Sequence, residues 1–469
     1  MKKLSFSSFT QSSPLILSCL VLGGLVLGSE RASAQVVYSL GVTEIYDDNI
    51  FLEDSGTPTP VVATPGVDPT APLPAQLDGK KNDDLITQAY FSASSALPVQ
   101  PNFTGSIGGT VGALMFADQS DESRLTLDFD FSLAVASGLL PEHVGIGINS
   151  SLTSGSNSVR TAEGTSSRSS ENLDNSLNLS YTGVEVAPMT TFGTSYTLTR
   201  HDFLGEFLFN ESDTRDLSPL TEERGADYLS NAVNITLDRQ FTQALTGGID
   251  LGVANYVFSG VESSGLDSGQ EPDRTDFSAA ITNGYVASKA VSLRSSVGVT
   301  LSHLKDEPTP VTVTTVDPTG TSTTALETPS KDNTSLTFDF GVNYAPQAGT
   351  SLSTGINQSV GTDIDGKRTL VRTVSLNGAQ DLGERLGASL GLAFVQFDEK
   401  ENLGNSSDRF EASAALTYSI TEAISLALGY NYANQNTDSA SQELSFGTND
   451  YQVNRAFISL SGGLVGLTN

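Results

Sequence analysis

The chain repeats one pattern along most of its length: short stretches in which every second residue is apolar and the residues between are small or polar. In one stretch Leu336, Phe338, Phe340, Val342 and Tyr344 alternate with Thr337, Asp339, Gly341 and Asn343. In another, Leu125, Leu127, Phe129, Phe131, Leu133 and Val135 alternate with Thr126, Asp128, Asp130, Ser132 and Ala134. Ile424, Leu426, Leu428, Tyr430 and Tyr432 do the same against Ser425, Ala427, Gly429 and Asn431. Successive side chains of a strand point to opposite faces, so each stretch reads as a strand with one apolar and one wettable face. Eighteen such segments, centred from about residue 41 to 457, follow one another.

The connections alternate in kind. Short ones lie at 98–101, 137–142, 185–189, 287–289, 345–349, 381–384 and 419–423, and long ones at 48–83, 155–170, 202–225, 259–273, 305–331, 399–406 and 437–449. Two, at 118–123 and 362–367, are short where the alternation wants a long one. A soluble sandwich would have to cover each apolar face with a second layer. A solenoid would show a fixed repeat period, and none is present. An even strand number, with short turns on one side and long loops on the other, predicts an all-β fold. That fold is a transmembrane antiparallel β-barrel of about 18 strands (16–18) with short periplasmic turns and long extracellular loops.

Residues 1–34 read differently. Lys2 and Lys3 precede an apolar run from Leu15 to Gly28, and Ala32-Ser33-Ala34 follows it, as in a cleaved signal peptide. The run has 14 residues, short of the roughly 20 that a spanning helix needs. The expected mature protein is one barrel domain, 35–469, with a Pro-rich loop at about 48–83. Cys19, the chain's one cysteine, lies in the leader. Leu17 and the apolar run beyond Cys19 argue against a lipoprotein signal. After cleavage no thiol remains for disulfides or metal ligation. The chain from residue 35 carries 21 basic and 53 acidic residues, a net charge of −32. Such a balance excludes nucleic acid as a partner, since phosphate binding needs clustered Lys and Arg.

With the apolar face toward lipid, alternation places Asp128, Asp130, Asp174, Asp250, Asp339 and Glu411 in the lumen, with Arg294 as the clearest opposing charge. A charge facing mid-bilayer lipid costs roughly 2–4 kcal/mol, with acids at the lower end, so acids collect inside. Carboxylates on a low-dielectric wall favour cations. Tyr181, Tyr285, Tyr344 and Tyr418 lie just before short turns, and Phe103 and Phe192 just after them. Rings with an apolar body suit the headgroup boundary, so these six form the expected aromatic girdle. The loops 202–225 and 305–331 are candidates for folding into the lumen.

Other chemistry is weak. Asp47, Asp48 and Asn49, and the Asp363 to Gly366 turn, carry oxygen ligands but match no full calcium loop. No metal site or cofactor is expected. Gly387-Ala-Ser389-Leu-Gly391 has the spacing of a nucleophile elbow without a strand-turn-helix setting. Gly361 to Lys367 has phosphate-loop spacing, but Arg368 replaces the hydroxyl that would hold Mg²⁺. His201 beside Asp202 is the strongest pair for activating water. No enzyme activity is expected.

The first strand runs Val37 to Phe51 and ends Tyr46-Asp-Asp-Asn-Ile-Phe51. This segment resembles the start of a family of bacterial outer-membrane β-barrel porins, some associated with exopolysaccharide export loci. The chain departs from many outer-membrane barrels in ending Gly466-Leu-Thr-Asn469, with Phe457 its last aromatic residue. The expected function is a porin-like channel for passive diffusion of small hydrophilic solutes, preferring cations. The alternatives are a barrel component of exopolysaccharide export or surface assembly, and a structural or adhesive barrel. The expected location is the bacterial outer membrane. Its lipid and lipopolysaccharide, the barrel assembly machinery, and small solutes or polysaccharide are the expected partners. The sequence leaves the oligomeric state open.

Overall fold

A strand leaves a row of backbone N–H and C=O groups on each edge, and in hydrocarbon every one of them must be paired. The computed structural model of the chain meets that demand by closing the sheet on itself. It describes residues 35–48, 83–97, 103–117, 123–135, 141, 143–153, 159–161, 164–166, 172–203, 227–259, 273–305, 311–316, 322–327, 331–362, 368–399, 406–438 and 451–467.

In chain order the strands are β1 (Gln35–Asp47), β2 (Asp84–Leu97), β3 (Phe103–Phe116), β4 (Arg124–Val135), β5 (Val144–Thr153), β6 (Val159–Thr161) and β7 (Gly164–Ser166). They continue with β8 (Asn172–Ala187), β9 (Thr190–Phe203), β10 (Asp227–Gln240), β11 (Leu245–Ser259), β12 (Arg274–Val286), β13 (Val291–Leu304), β14 (Val311–Val316) and β15 (Ser322–Glu327). The last are β16 (Asp332–Gln347), β17 (Thr350–Thr362), β18 (Arg368–Asp381), β19 (Leu386–Glu399), β20 (Ser406–Ser419), β21 (Ile424–Asp438) and β22 (Tyr451–Leu467). Eighteen of these form a single antiparallel sheet. It closes where β1 pairs with β22, from Gln35↔Leu467 to Asp47↔Arg455. The fold is an 18-stranded antiparallel transmembrane β-barrel, as the alternation predicted.

Two of the long connections carry hairpins of their own. The segment 155–170 contains the hairpin β6–β7, and 305–331 contains the hairpin β14–β15. The Thr-rich alternation Val311-Thr-Val-Thr-Thr-Val316 is a strand former that its Pro-flanked setting disguises.

At the short-turn end, three turns share one device. The hydroxyl oxygen of Thr242 accepts from the N–H groups of Ala244 (3.2 Å) and Leu245 (3.0 Å). Ser288 does the same for Ala290 and Val291, and Thr421 for Ala423 and Ile424. Each hydroxyl satisfies donors that a tight turn leaves unpaired. Two further turns use left-handed backbone, at Met189 (φ 60°) and Gly349 (φ 76°).

The register fixes the two faces. Outward in β12 and β13 are Phe277, Ile281, Val297, Val299 and Leu301, all exposed as a lipid-facing belt must be in a chain taken alone. Tyr181, Tyr285, Tyr344 and Tyr418 are also exposed, and with Phe192 they occupy outward positions near the short turns. Phe103 holds the equivalent register position opposite Val135.

The outward face is not apolar throughout. Toward the long-loop end it becomes a collar of hydrogen-bonded polar pairs. Thr87 donates to Glu44 (3.0 Å), Ser150 to Asn175 (2.9 Å), Tyr196 to Asn231 (2.8 Å), and Arg372 to Gln358 (2.8 Å) and Gln396 (2.7 Å). The cost of polar groups on the outer face falls to about 0–1 kcal/mol near the interface, so the belt can end there.

Candidate functional site: the inner wall

Inward-facing side chains are the only ones that can meet cargo inside a barrel. All seven lumen residues expected from alternation occupy inward positions. Asp128 and Asp130 lie opposite Thr110 and Gly108, Asp174 opposite His201, Asp250 opposite Thr236, Asp339 opposite Ser296, and Glu411 opposite Ala433. Arg294 faces inward on β13 and its Nε donates to Asp339 at 3.1 Å. The register adds residues that alternation missed, namely Asp47, Asp84, Asp238, Asp276, Arg274, Arg409 and Arg455. They sit in the first or last few residues of their strands, where charges occur on both faces and the pattern loses contrast.

These charges are organised in pairs. Arg455 Nε donates to Asp47 at 2.6 Å, Arg274 Nε lies 3.3 Å from Asp276, and Arg409 pairs with Glu411 along β20. Asp130, Asp238 and Asp250 have no cationic partner among the described residues. Asp238 leans across Gly248, so that a Cβ there would collide with its carboxylate and with Thr282 Oγ1 (2.9 Å).

One sector carries an aromatic group. His201 stacks on Tyr228 at 5.0 Å, Tyr228 meets Tyr256 and Phe258 at 6.0 and 5.9 Å, and the Arg274 guanidinium lies 4.7 Å from the centre of the Tyr256 ring. His201 Nδ1 lies 2.7 Å from Asp174. Asp202 points the other way, outward, where it accepts from Arg200 at 2.8 Å. The pair His201 and Asp202 is therefore split by the strand's two faces and cannot work as one site. Gly387 to Gly391 lies inside β19, so the elbow pattern has no turn to stand on.

The two carboxylates of the first calcium reading are already engaged by protein groups. Asp47 is held by Arg455, and Asp48 binds the backbone and side-chain amides of Asn454, each at 2.6 Å. Asn49 and the segment 363–366 lie outside the described residues. Among the described residues no group of three or more His, Cys, Asp or Glu side chains converges as a metal site.

A gradient runs along the wall. At the loop end the inward residues Asp47, Asp84, Ile86, Leu114, Phe258, Arg274, Ser302, Leu304, Ser407, Gln435 and Val453 are buried, several at 1–2% exposure. At the turn end Thr246, Asn343 and Thr417 are exposed.

No family model matches the sequence, and no curated protein does. Solved structures do. The FrpB iron transporter of Neisseria meningitidis (F5-1 variant) is 13% identical over 93% of this chain and 68% of its own, with a TM-score of 0.48. OpdK of Pseudomonas aeruginosa, solved with vanillate, is 10% identical over 92% of this chain and 99% of its own, with a TM-score of 0.42. The ferric-catecholate import receptor Fiu of E. coli is 9% identical over 92% and 82%, with a TM-score of 0.40. The likeness is one of barrel architecture. What this chain shares with them is the fold, a closed membrane-spanning β-barrel.

The expectation of an open porin for passive diffusion is corrected. An eighteen-stranded barrel is wide enough for a water channel, and at the loop end of this one inward side chains such as Asp47, Ile86 and Leu304 are covered. Three of the matched proteins are named as an iron transporter, a ferric-catecholate import receptor and a ferric enterobactin receptor.

Proposed function

We propose that the barrel is a selective transporter of hydrophilic cargo that admits cationic or neutral solutes and rejects anions, with access restricted at its loop end. The observation that carries this reading is the charge arrangement of the inner wall. Four inward arginines, Arg274, Arg294, Arg409 and Arg455, are each engaged by a carboxylate, whereas Asp130, Asp238 and Asp250 have no cationic partner among the described residues. Acids on a wall backed by lipid focus a negative potential into the lumen. The burial of the loop end supports restricted access.

Reversal potentials of the reconstituted protein under a KCl gradient test the reading. Cation selectivity that weakens in the triple variant Asp130→Asn, Asp238→Asn, Asp250→Asn is expected. Anion selectivity, or a barrel that never conducts at any applied voltage, overturns it.

A further inference from the structure

The inner wall between β18 and β22 contains a recess of about 320 Å³, within the usual range of small-ligand pockets. Its floor is made of small residues: Gly391 and Ala393 of β19, Ser413 of β20 and Ala433 of β21 lie on the inward faces of three neighbouring strands. A Cβ at Gly391 would come 2.6 Å from Ser413 Oγ and 3.4 Å from Asn377 Oδ1, so glycine keeps the recess open.

We propose that this recess is a binding subsite for a neutral saccharide. Asn377 and Asn431 line it with amides that make no side-chain hydrogen bond among the described residues, each offering two donors and an acceptor. Arg455 and Glu411 flank them, with side chains 38% and 37% exposed. Both charges are already neutralised locally, Arg455 by Asp47 and Glu411 by Arg409. The recess therefore offers donors and acceptors without net charge, which suits hydroxyl groups better than a separated ammonium and carboxylate.

The second element is an aromatic surface. Phe457 follows Arg455 by two residues on the same inward face of β22 and lies across β21, its ring tip filling the space above Gly429. A side chain at 429 would push the ring off the wall. Laid over Gly429 and partly exposed, the ring offers an apolar surface one inward position along β21 from Asn431, next to the recess lining. A sugar ring, with an apolar face and a hydroxyl rim, matches that pairing of surfaces.

This inference rests on the transport reading for its purpose but not for its test. Binding of maltotriose, cellotriose and chitotriose to the detergent-refolded full chain is measured by saturation-transfer NMR and calorimetry, with glycylglycine as a zwitterionic probe. At least one trisaccharide is expected to bind, with at least a tenfold loss in Asn431→Ala and in Phe457→Ala. Ser278→Ala, on the inward face of β12, should leave binding unchanged. Gly391→Val, which fills the recess, should abolish it while the heat-modifiable gel mobility of the folded barrel is kept. Absence of binding by all three sugars, binding indifferent to Asn431 and Phe457, or binding of glycylglycine alone overturns the subsite. Sugar binding to a barrel that does not conduct would sink the transport reading and leave the subsite standing.

Discussion

Arg455 in the last strand donates its Nε to Asp47 in the first at 2.6 Å, joining residues 408 positions apart across the seam where the barrel closes. Asp47 is 1% exposed. Removing the guanidinium takes a charge-assisted hydrogen bond from a buried carboxylate, a loss on the order of 1.5–3 kcal/mol. Arg455→Ala should therefore lower the urea midpoint for unfolding in detergent, read from the heat-modifiable gel band. Arg294→Ala should change it little, because the Arg294–Asp339 pair is 67% and 32% exposed and such pairs contribute about 0–1 kcal/mol. Equal shifts for the two variants would show that the seam pair has no special role.

Two inward rings rest on glycines of the adjacent strand. Phe457 covers Gly429, and Tyr90 covers Gly41, with Tyr90 Cζ 2.6 Å from where a Cβ would stand. Gly429→Ala should destabilise the barrel by about 1–3 kcal/mol through overpacking. In a Phe457→Ala background the same change should cost much less, since the clash is gone. A double-mutant cycle on urea midpoints measures this, and additivity would mean that the ring and the glycine do not touch.

How far the sequence disclosed this arrangement depends on where a residue sits along its strand. Mid-strand, a period of two separates faces without ambiguity, and Asp128, Asp250 and Asp339 could be assigned to the lumen from their apolar neighbours alone. At strand ends that contrast disappears. Ser406-Ser-Asp-Arg-Phe-Glu411 carries charges on both faces, with Asp408 outward opposite Gln396 and Arg409 inward opposite Val395. Contacts such as Arg455 with Asp47, or Phe457 over Gly429, depend on register between strands. Alternation within one strand does not encode that register. The split of His201 from Asp202 was legible in principle, because adjacent strand residues never share a face.

The depth dependence of the outer face gives a third prediction. Ile281 is 61% exposed at the middle of the lipid belt, whereas Glu44 already places a carboxylate on the outer face near the loop end, bound by Thr87. Ile281→Arg should lose about 2–4 kcal/mol of folding free energy into lipid, and Glu44→Arg about 0–1 kcal/mol. Refolding into phosphatidylcholine vesicles across a urea series compares them. A comparable loss at both positions would place the belt's edge elsewhere.

The repeated turn device predicts a smaller effect. Thr421→Val removes the acceptor for two backbone N–H groups, those of Ala423 and Ile424. The turn faces water, which can replace the lost partner, so the expected cost is about 0.5–1.5 kcal/mol. Thr421→Ser keeps the oxygen and should restore most of the stability. A serine variant as weak as valine would assign the effect to packing of the methyl group.

The inner-wall charges give a prediction with opposite signs at two sites. Asp250→Asn removes an acid with no cationic partner among the described residues, so the lumen loses negative potential and the reversal potential should move toward anions. Arg294→Gln removes the guanidinium that offsets Asp339 at 3.1 Å and should move it toward cations. Both residues face the same lumen, so a mechanism in which wall charge sets ion preference requires the two shifts to oppose each other. The shifts should also shrink in high salt, because screening shortens the reach of each charge from about 10 Å at 0.1 M to about 3 Å at 1 M. Shifts in the same direction, or shifts indifferent to salt, would mean that selectivity is set by the size of the passage and not by its charge.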